Sequence, residues 1–313
     1  MSTSALSLRG AYTALVTPFL PDGSLDEEAV VRLVERQIDL GINGLVPVGT
    51  TGESPTTTFE EDDRIIGLTI ETVARRGLAG KLPVIAGTGS NDTATVITAT
   101  RRAKELGADA ALVVAPYYNK PDQRMLEHHY LTVAEDGGLP IVVYNVPGRT
   151  GCNIEAATLL RIARHPNVIA VKEASGNIEQ IMTILRDRPS TLAVLSGDDS
   201  MTFPMLALGG DGIISVASNE VPDVMAQLCA SAFAGDWETA RGIHNRYLDL
   251  MRVNFIAPNP VPVKAAMAEM GLIHDVLRLP LLPMADDQRP RLRAALTAVG
   301  LLPVAPVPVA VPA

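Results

Sequence analysis

The sequence predicts an α/β protein built as one (β/α)8 TIM barrel with a small C-terminal helical extension. Eight short segments that are apolar almost throughout recur along the chain, and amphipathic stretches separate them. Strands that are apolar on both faces are typical of parallel sheets covered by helices on each side. Eight strand–helix alternations favour a closed barrel over an open doubly wound sheet.

The elements follow one another in a regular order. The first helix is predicted over Leu25–Leu40, where apolar residues keep helical spacing behind a capping box of Ser24 and Glu27. After the last strand only helices follow, so we expect a barrel domain at 1–235, a helical domain at 236–300 and a proline-rich, extended tail at 301–313. The predicted strands are Ala14–Val16, Gly44–Val48, Pro83–Ala86, Ala110–Ala115, Pro140–Tyr144, Val168–Val171, Leu192–Leu195 and Gly212–Val216. The predicted C-terminal helices are Asp236–Asn254, Val263–Gly271 and Asp286–Val299.

Composition excludes several classes of function. With 47% hydrophobic and 19% charged residues, the chain is typical of soluble globular proteins. A net charge of -9 without a dense Lys/Arg run argues against nucleic acid and anionic membranes as partners. The first residues lack the apolar core of a secretory signal and no apolar run could span a bilayer, so we expect a cytoplasmic protein. Cys152 and Cys229 share no motif spacing, which predicts reduced, buried thiols and neither disulfide nor zinc site.

The catalytic residues of such barrels lie at the C-terminal ends of the strands. The second predicted strand ends in a glycine- and threonine-rich turn, Gly49–Ser54, whose amides and hydroxyls could hold a carboxylate. A turn of this composition can also be a plain connection between strand and helix. The turn alone therefore leaves both interpretations open.

One lysine stands apart from the other lysines of the chain. Lys172 ends an apolar strand, and period-two alternation groups it with Val168 and Ala170 on one face. If that face is the barrel interior, the pKa of Lys172 falls from about 10.4 toward ~7 to 8, where the amine can form a Schiff base with a carbonyl. A structural ion pair is the alternative, although Glu173 should point to the opposite face. The remaining four lysines look solvated or peripheral: Lys81, Lys104, Lys120 and Lys264.

Polar and aromatic side chains also stand at the ends of the two predicted strands that precede this lysine's strand. Tyr144 closes the fifth strand and Arg149 follows it, which places a phenol and a guanidinium on the same rim as Lys172. A tyrosine can relay protons, and an arginine can bind a carboxylate with two hydrogen bonds. Tyr117 and Tyr118 follow the fourth strand, where adjacent tyrosines could equally well pack at a subunit interface.

Together these segments resemble the dihydrodipicolinate synthase family, within the N-acetylneuraminate lyase superfamily. The similarity runs from about residue 11 to residue 300 with the motifs in the same order. It rests on GTTGES (49–54), PYYNKP (116–121), YNVPGRTG (144–151), VKEASG (171–176), SGDD (196–199), GIISV (212–216) and NPVPVK (259–264).

The resemblance implies a role for each residue at the rim. Lys172 would form the imine with pyruvate, whose carboxylate would rest on the amides and hydroxyls of Thr50 and Thr51. Tyr144, Thr51 and Tyr118 would form a proton relay, with Tyr118 reaching in from a neighbouring subunit.

The resemblance also implies the second substrate and the assembly. Arg149 would bind the carboxylate of L-aspartate 4-semialdehyde, while Gly197 and Ile214 would line the pyruvate pocket. The product would be 4-hydroxy-tetrahydrodipicolinate, a step of lysine and diaminopimelate biosynthesis, without any metal or organic cofactor. A tyrosine donated between subunits implies an oligomer, expected to be a homotetramer built from tight dimers.

One part of the family pattern is missing. Lysine-inhibited members have histidines in the helix after GTTGES and a glutamate after the third strand, and these positions are Phe59, Asp62 and Thr95 here. Ser54, Asn91 and Tyr117 are retained. We therefore predict weak or absent feedback inhibition by lysine.

Three other functions compete with the one that the resemblance implies. The first is a related pyruvate-dependent aldolase or lyase, which would keep the Schiff base and use a different aldehyde. Its substrate would be 2-keto-3-deoxygluconate, 4-hydroxy-2-oxoglutarate or N-acetylneuraminate. Arg149 favours instead a small aldehyde that has a carboxylate. A metal-dependent aldolase is disfavoured because His128 and His129 cannot share a helix face. A non-catalytic barrel is disfavoured by the complete set of reactive side chains.

Overall fold

Eight parallel strands form the centre of the molecule in the computed structural model, which describes residue 6 and residues 8–303. The strand order around the sheet is β2-β1-β8-β7-β6-β5-β4-β3. Strands β2 and β3 then meet through a parallel bridge between Leu45 and Val84, which closes the barrel predicted from the sequence. The strands are β1 (Gly10–Ala14), β2 (Gly44–Val46), β3 (Ile85–Gly87), β4 (Ala110–Val114), β5 (Ile141–Asn145), β6 (Val168–Glu173), β7 (Ala193–Ser196) and β8 (Gly212–Ser215).

Helices follow the strands around the outside, and three of them form the C-terminal extension. The extension packs a separate apolar cluster that includes Leu250, Ala265, Leu292 and Leu296. The helices are α1 (Glu27–Asp39), α2 (Phe59–Arg75), α3 (Thr93–Leu106), α4 (Gln123–Asp136), α5 (Pro147–Thr150), α6 (Ala156–Ile162), α7 (Ile178–Asp187), α8 (Thr202–Ala207), α9 (Pro222–Phe233), α10 (Trp237–Val253), α11 (Val261–Glu269) and α12 (Arg289–Ala298).

Eight buried side chains, one from each strand, help to fill the barrel interior. These eight buried residues belong to a single apolar cluster, so the interior is a packed core rather than a channel. Side chains two positions further along a strand lie one layer closer to the C-terminal rim. The eight are Tyr12, Val46, Ile85, Leu112, Val142, Ala170, Leu195 and Ile214.

The seam between β2 and β3 requires a glycine. A Cβ atom at Gly87 would lie 2.0 Å from the carbonyl oxygen of Val48, far inside contact distance. The missing side chain lets the Gly87 amide donate to the carbonyl of Pro47 at 2.9 Å. This close approach joins the two strands that complete the barrel.

Two local predictions at the N-terminal end were wrong. Strand β1 lies at Gly10–Ala14 rather than Ala14–Val16, because the chain leaves the ladder at Val16, whose amide binds the side chain of Asn219. Helix α1 has no capping box of Ser24 and Glu27. Asp26 caps it by accepting from the Ala29 amide, while the Ser24 hydroxyl binds Asp22.

Several further features bear on the sequence predictions. Over residues 8–303 no helix is long and apolar enough to cross a membrane. Within the same range no cluster of three or more His, Cys, Asp or Glu side chains is arranged to hold a metal ion. Both cysteines are free, but only Cys229 is buried, whereas Cys152 is half-buried. The predicted tail at 301–313 lies outside the described residues from position 304 onward.

Candidate active site at the C-terminal rim

Lys172 lies inside the barrel at the end of β6. Its side chain is only 5% exposed, and no carboxylate of the described residues lies within 4.0 Å of its amine. Burial lowers the pKa of Lys172 to about 7; the charge of Asp199 opposes this shift and that of Arg149 reinforces it. Glu173 binds Asn145 and the Ser175 amide instead. The lysine is therefore not half of an ion pair, and a large share of its amine is unprotonated near neutral pH.

The alternation expected along β6 holds only near its C-terminal end. Ala170 faces the interior cluster as predicted, but Val168 belongs to the outer cluster between sheet and helices. The pairing of β5 with β6 shifts between Ile141 and Val142, so one extra residue of β6 enters the ladder. Such an irregularity reverses the faces of the residues that precede it, which a sequence pattern does not reveal.

Tyr144 is the neighbour of Lys172 on β5. The two residues are Cα partners in the ladder, and the Lys172 amine lies 4.3 Å from the centre of the Tyr144 ring. Burial raises the pKa of the phenol, while the Arg149 charge and a hydrogen bond with the Thr50 hydroxyl oppose this change. The phenol thus stays protonated and able to donate a proton beside the amine.

Gly197, which follows β7, and Ile214 on β8 are two further residues that were expected at the site. A Cβ at Gly197 would lie 3.1 Å from both Cγ and Cε of Lys172, so the glycine makes room for the extended lysine side chain. Ile214 is fully buried in the interior cluster that also contains Tyr144. That the two residues line a substrate pocket stays a prediction from the family resemblance.

The turn after β2 presents two threonines to the rim. Thr50 and Thr51 begin a short 3-10 helix, Thr50–Gly52, whose first amides have no partner within the helix. Thr51 is 2% exposed, and its hydroxyl oxygen accepts a hydrogen bond from the side chain of Asn259 at 2.9 Å. The turn therefore combines unpaired amides with one fixed and one partly open hydroxyl.

A cavity of about 600 Å³ opens beside this turn. Thr50, Val146 and Arg149 are among its lining residues, and the guanidinium of Arg149 also contacts the backbone oxygen of Asn259 at 3.5 Å. Phe59 and Asp62 also lie among the residues that line the cavity. A cationic group thus lines the same cavity as Thr50 of the turn.

Tyr118 is the one predicted site residue that this chain does not bring into the site. Its side chain is 88% exposed, in the loop between β4 and α4, and its backbone has a φ of 76°. Among residues 8–303 this large aromatic side chain is therefore left almost uncovered.

Sequence reasoning misjudged Lys264 and missed Asn259. Lys264 was expected to be peripheral but is 0% exposed, since its amine binds Glu53 at 2.5 Å and the Thr17 carbonyl at 2.9 Å. Asn259 contacts Thr51 across 208 positions of sequence. The NPVPVK segment was visible as a motif, but no spacing rule linked it to the second strand.

Comparison with known proteins decides which group of enzymes shares this geometry. Residues 7–299 match the dihydrodipicolinate synthetase family. The chain belongs to that family. Within the dihydrodipicolinate synthetase family, one relative is the 4-hydroxy-tetrahydrodipicolinate synthase of Chlorobium chlorochromatii. It is 49% identical to this chain over 296 residues, which cover 94% of this chain and 98% of the relative.

Solved dihydrodipicolinate synthase structures have the same fold. The enzyme of Thermotoga maritima is 45% identical with a TM-score of 0.91, over 95% of this chain and 100% of that chain. A monomeric dihydrodipicolinate synthase variant is also 45% identical with a TM-score of 0.91, over 94% and 98% of the two chains.

Proposed function

We propose that this chain is a 4-hydroxy-tetrahydrodipicolinate synthase, which condenses pyruvate with L-aspartate 4-semialdehyde. The observation that supports it most directly is a buried lysine with a pKa of about 7 at the rim of a barrel that belongs to this family. The relatives that match nearly the whole chain have the synthase name, which favours this function over the related sugar-acid aldolases.

The proposed reaction begins with the unprotonated amine of Lys172. It attacks the carbonyl carbon of pyruvate, and loss of water leaves an imine. The imine nitrogen withdraws electrons, so a proton leaves the methyl group and an enamine forms. The enamine carbon attacks the semialdehyde, and the substrate's own amine then displaces Lys172 as the ring closes. The nitrogen of Lys172 is the electron sink, so the proposal includes no metal or organic cofactor.

The other rim residues take the roles that their positions support. Thr50 and Thr51 bind the pyruvate carboxylate, and Gly197 and Ile214 line its pocket. Tyr144 and Thr51 move protons during imine formation and cyclisation. Arg149, which lines the cavity beside the turn, binds the carboxylate of the semialdehyde.

We further propose that the working form is a homotetramer of tight dimers in which Tyr118 enters the site of a neighbouring subunit. The exposure of this side chain in the single chain supports the proposal. A phenol in a third position would complete a relay that begins with Thr51 and Tyr144.

The decisive experiment measures pyruvate consumption by the purified protein with and without L-aspartate 4-semialdehyde. We expect consumption that depends on the semialdehyde. Arg149→Ala should lose semialdehyde turnover yet still form an imine that borohydride traps on Lys172. Unchanged turnover in that variant would overturn the role of Arg149, and consumption only with sugar-derived aldehydes would overturn the named substrate.

A further inference from the structure

We infer that Asn259, a residue of the C-terminal extension, is a positioning residue that orients the hydroxyl proton of Thr51 for the proton relay. The inference rests on the proposed function of the rim. Asn259 lies between α10 and α11, is 7% exposed, and reaches the turn after β2 through its side-chain amide. It thus links the extension to a residue of the proposed relay.

The direction of this hydrogen bond decides what the Thr51 hydroxyl can do. An amide nitrogen has only donor hydrogens, whereas a hydroxyl has one proton and two lone pairs. Because Nδ2 of Asn259 donates to Oγ1 of Thr51 at 2.9 Å, the threonine oxygen is the acceptor here. The Thr51 proton must therefore point away from Asn259 and is free for a partner in the relay.

The other end of the same amide argues against a purely structural role. The Oδ1 atom of Asn259 is buried and has no hydrogen-bond partner among the described residues. Burying an unpaired carbonyl oxygen lowers stability, and an apolar side chain would avoid that loss. An amide at this position makes sense if its donor end is needed.

Asn259 is also close to the second substrate-binding group. Its backbone oxygen contacts the guanidinium of Arg149 at 3.5 Å. A side-chain substitution leaves this backbone contact in place, so the binding of the semialdehyde should change far less than proton transfer.

The extension is anchored to the same turn independently of Asn259. Lys264 on α11 binds Glu53, and Glu53 also accepts from the backbone amide of Arg278 at 3.0 Å. Loss of the Asn259 side chain therefore leaves the turn attached to the extension. Its effects should be local to Thr51.

The test compares Asn259→Ala and Asn259→Asp with Asn254→Ala. Asn254 is a matched control, since it is also a buried asparagine of the extension with an unpartnered Oδ1, but its amide binds Glu220 and not the rim. We expect Asn259→Ala to lower kcat by roughly 10-fold while KM for both substrates changes little. Asn254→Ala should lower thermal stability with a much smaller effect on kcat.

Asn259→Asp supplies a readout that a structural role would not produce. The substitution keeps the shape but offers a donor only when its carboxyl group is protonated. The ratio of the variant's kcat to that of the wild type should therefore rise as the pH is lowered from ~9 to ~6, because burial raises the pKa of a carboxyl. Asn259→Ser, which is too short to reach Thr51, replaces the alanine variant if that one does not fold.

Two results would overturn the inference. One is a kcat loss in the Asn259 variants no larger than in Asn254→Ala, and the other is a ratio for Asn259→Asp that does not change with pH. Borohydride trapping of the pyruvate imine is run on every protein. Trapping in the wild type separates a failure of this inference from a failure of the proposed function, whereas no imine in the wild type would overturn both.

Discussion

Burial of the amine at Lys172, the proposed nucleophile, lowers the stability of the folded protein. The pKa in the folded protein, about 7, is lower than the ordinary value of 10.5, so between these values the unfolded chain binds a proton that the folded chain does not. The free energy of unfolding therefore rises with pH across this window. Below pH 7 the full penalty of burying the charge remains.

Lys172→Met should consequently be inactive and more stable than the wild type. We expect a gain of about 1 to 2 kcal/mol in the free energy of unfolding near pH 7. The gain should shrink as the pH rises from 7 to 9, because the wild type releases the lysine proton when it folds, and this release costs less free energy at higher pH. Urea denaturation at both pH values measures this, and an equal or growing gain at pH 9 would contradict the assigned pKa.

The residues that line the cavity predict the response to lysine. Phe59 offers no hydrogen-bond donor to the carboxylate of an amino acid, and the carboxyl of Asp62 would repel it where ionised. We expect synthase activity to stay nearly unchanged at millimolar L-lysine. The combined variant Phe59→His, Asp62→His and Thr95→Glu should gain sensitivity. Inhibition of the unmodified enzyme at the level of strongly regulated enzymes would refute this prediction.

Single residues were predictable where a reactive side chain stands at the C-terminal end of a predicted strand. Lys172 was identifiable because it ends an apolar strand, and Tyr144 and Arg149 because they follow the neighbouring strand. Lys264 was misjudged because its partner, Glu53, lies 211 positions away. A buried ion pair between distant elements leaves no local pattern in either segment.

At the scale of elements, the type and order were predictable and the ends were not. All eight strands were expected, since each is an apolar run, but β1 starts earlier because Gly10 pairs with Gly212 before the apolar residues begin. The cap of α1 differed because Asp26 competes with Ser24 and reaches the Ala29 amide. Contacts between residues that are distant in sequence set the start of β1, and competition between two nearby capping residues set the start of α1. Local sequence preference alone does not predict either boundary.

The link between α11 and the turn after β2 should be sensitive to the loss of either partner. Lys264→Met leaves Glu53 buried without its counter-ion, and Glu53→Gln leaves the lysine alone. Each should lower the free energy of unfolding by about 3–5 kcal/mol, while the double variant should be less destabilised than the sum. Replacing Arg186, whose pair with Asp187 is at the surface, should have no measurable effect. Additive losses in a urea-based double-mutant cycle would show that the two groups do not act as a pair.

At the scale of the whole molecule, the closed barrel was predictable from the count of strands alone. Eight alternations leave few other architectures in which every strand is covered on both faces. The pattern of apolar residues does not reveal how many subunits assemble. The expected tetramer, and the division of the chain at residue 235, stay predictions.

Subunit complementation tests the assembly directly. Lys172→Ala and Tyr118→Phe should each be nearly inactive alone. In a mixed dimer the subunit with an intact lysine receives an intact tyrosine from its partner, so random mixing should restore about a quarter of the sites. The measurement is activity after joint unfolding and refolding of the two variants. No recovery, or full activity of Tyr118→Phe alone, would exclude a tyrosine donated between subunits.

The turn after β2 is made early in translation, but the residues that bind it come very late. Thr51 accepts a hydrogen bond from Asn259, 208 positions later, and Glu53 accepts one from the backbone amide of Arg278, 225 positions later. A nascent chain on the ribosome can therefore pair its first strands and bury their apolar faces long before residues 259–278 emerge. Until then the hydroxyl of Thr51 has no Asn259 side chain to bind, so the proposed relay gains its positioned threonine only after nearly every element has been synthesised.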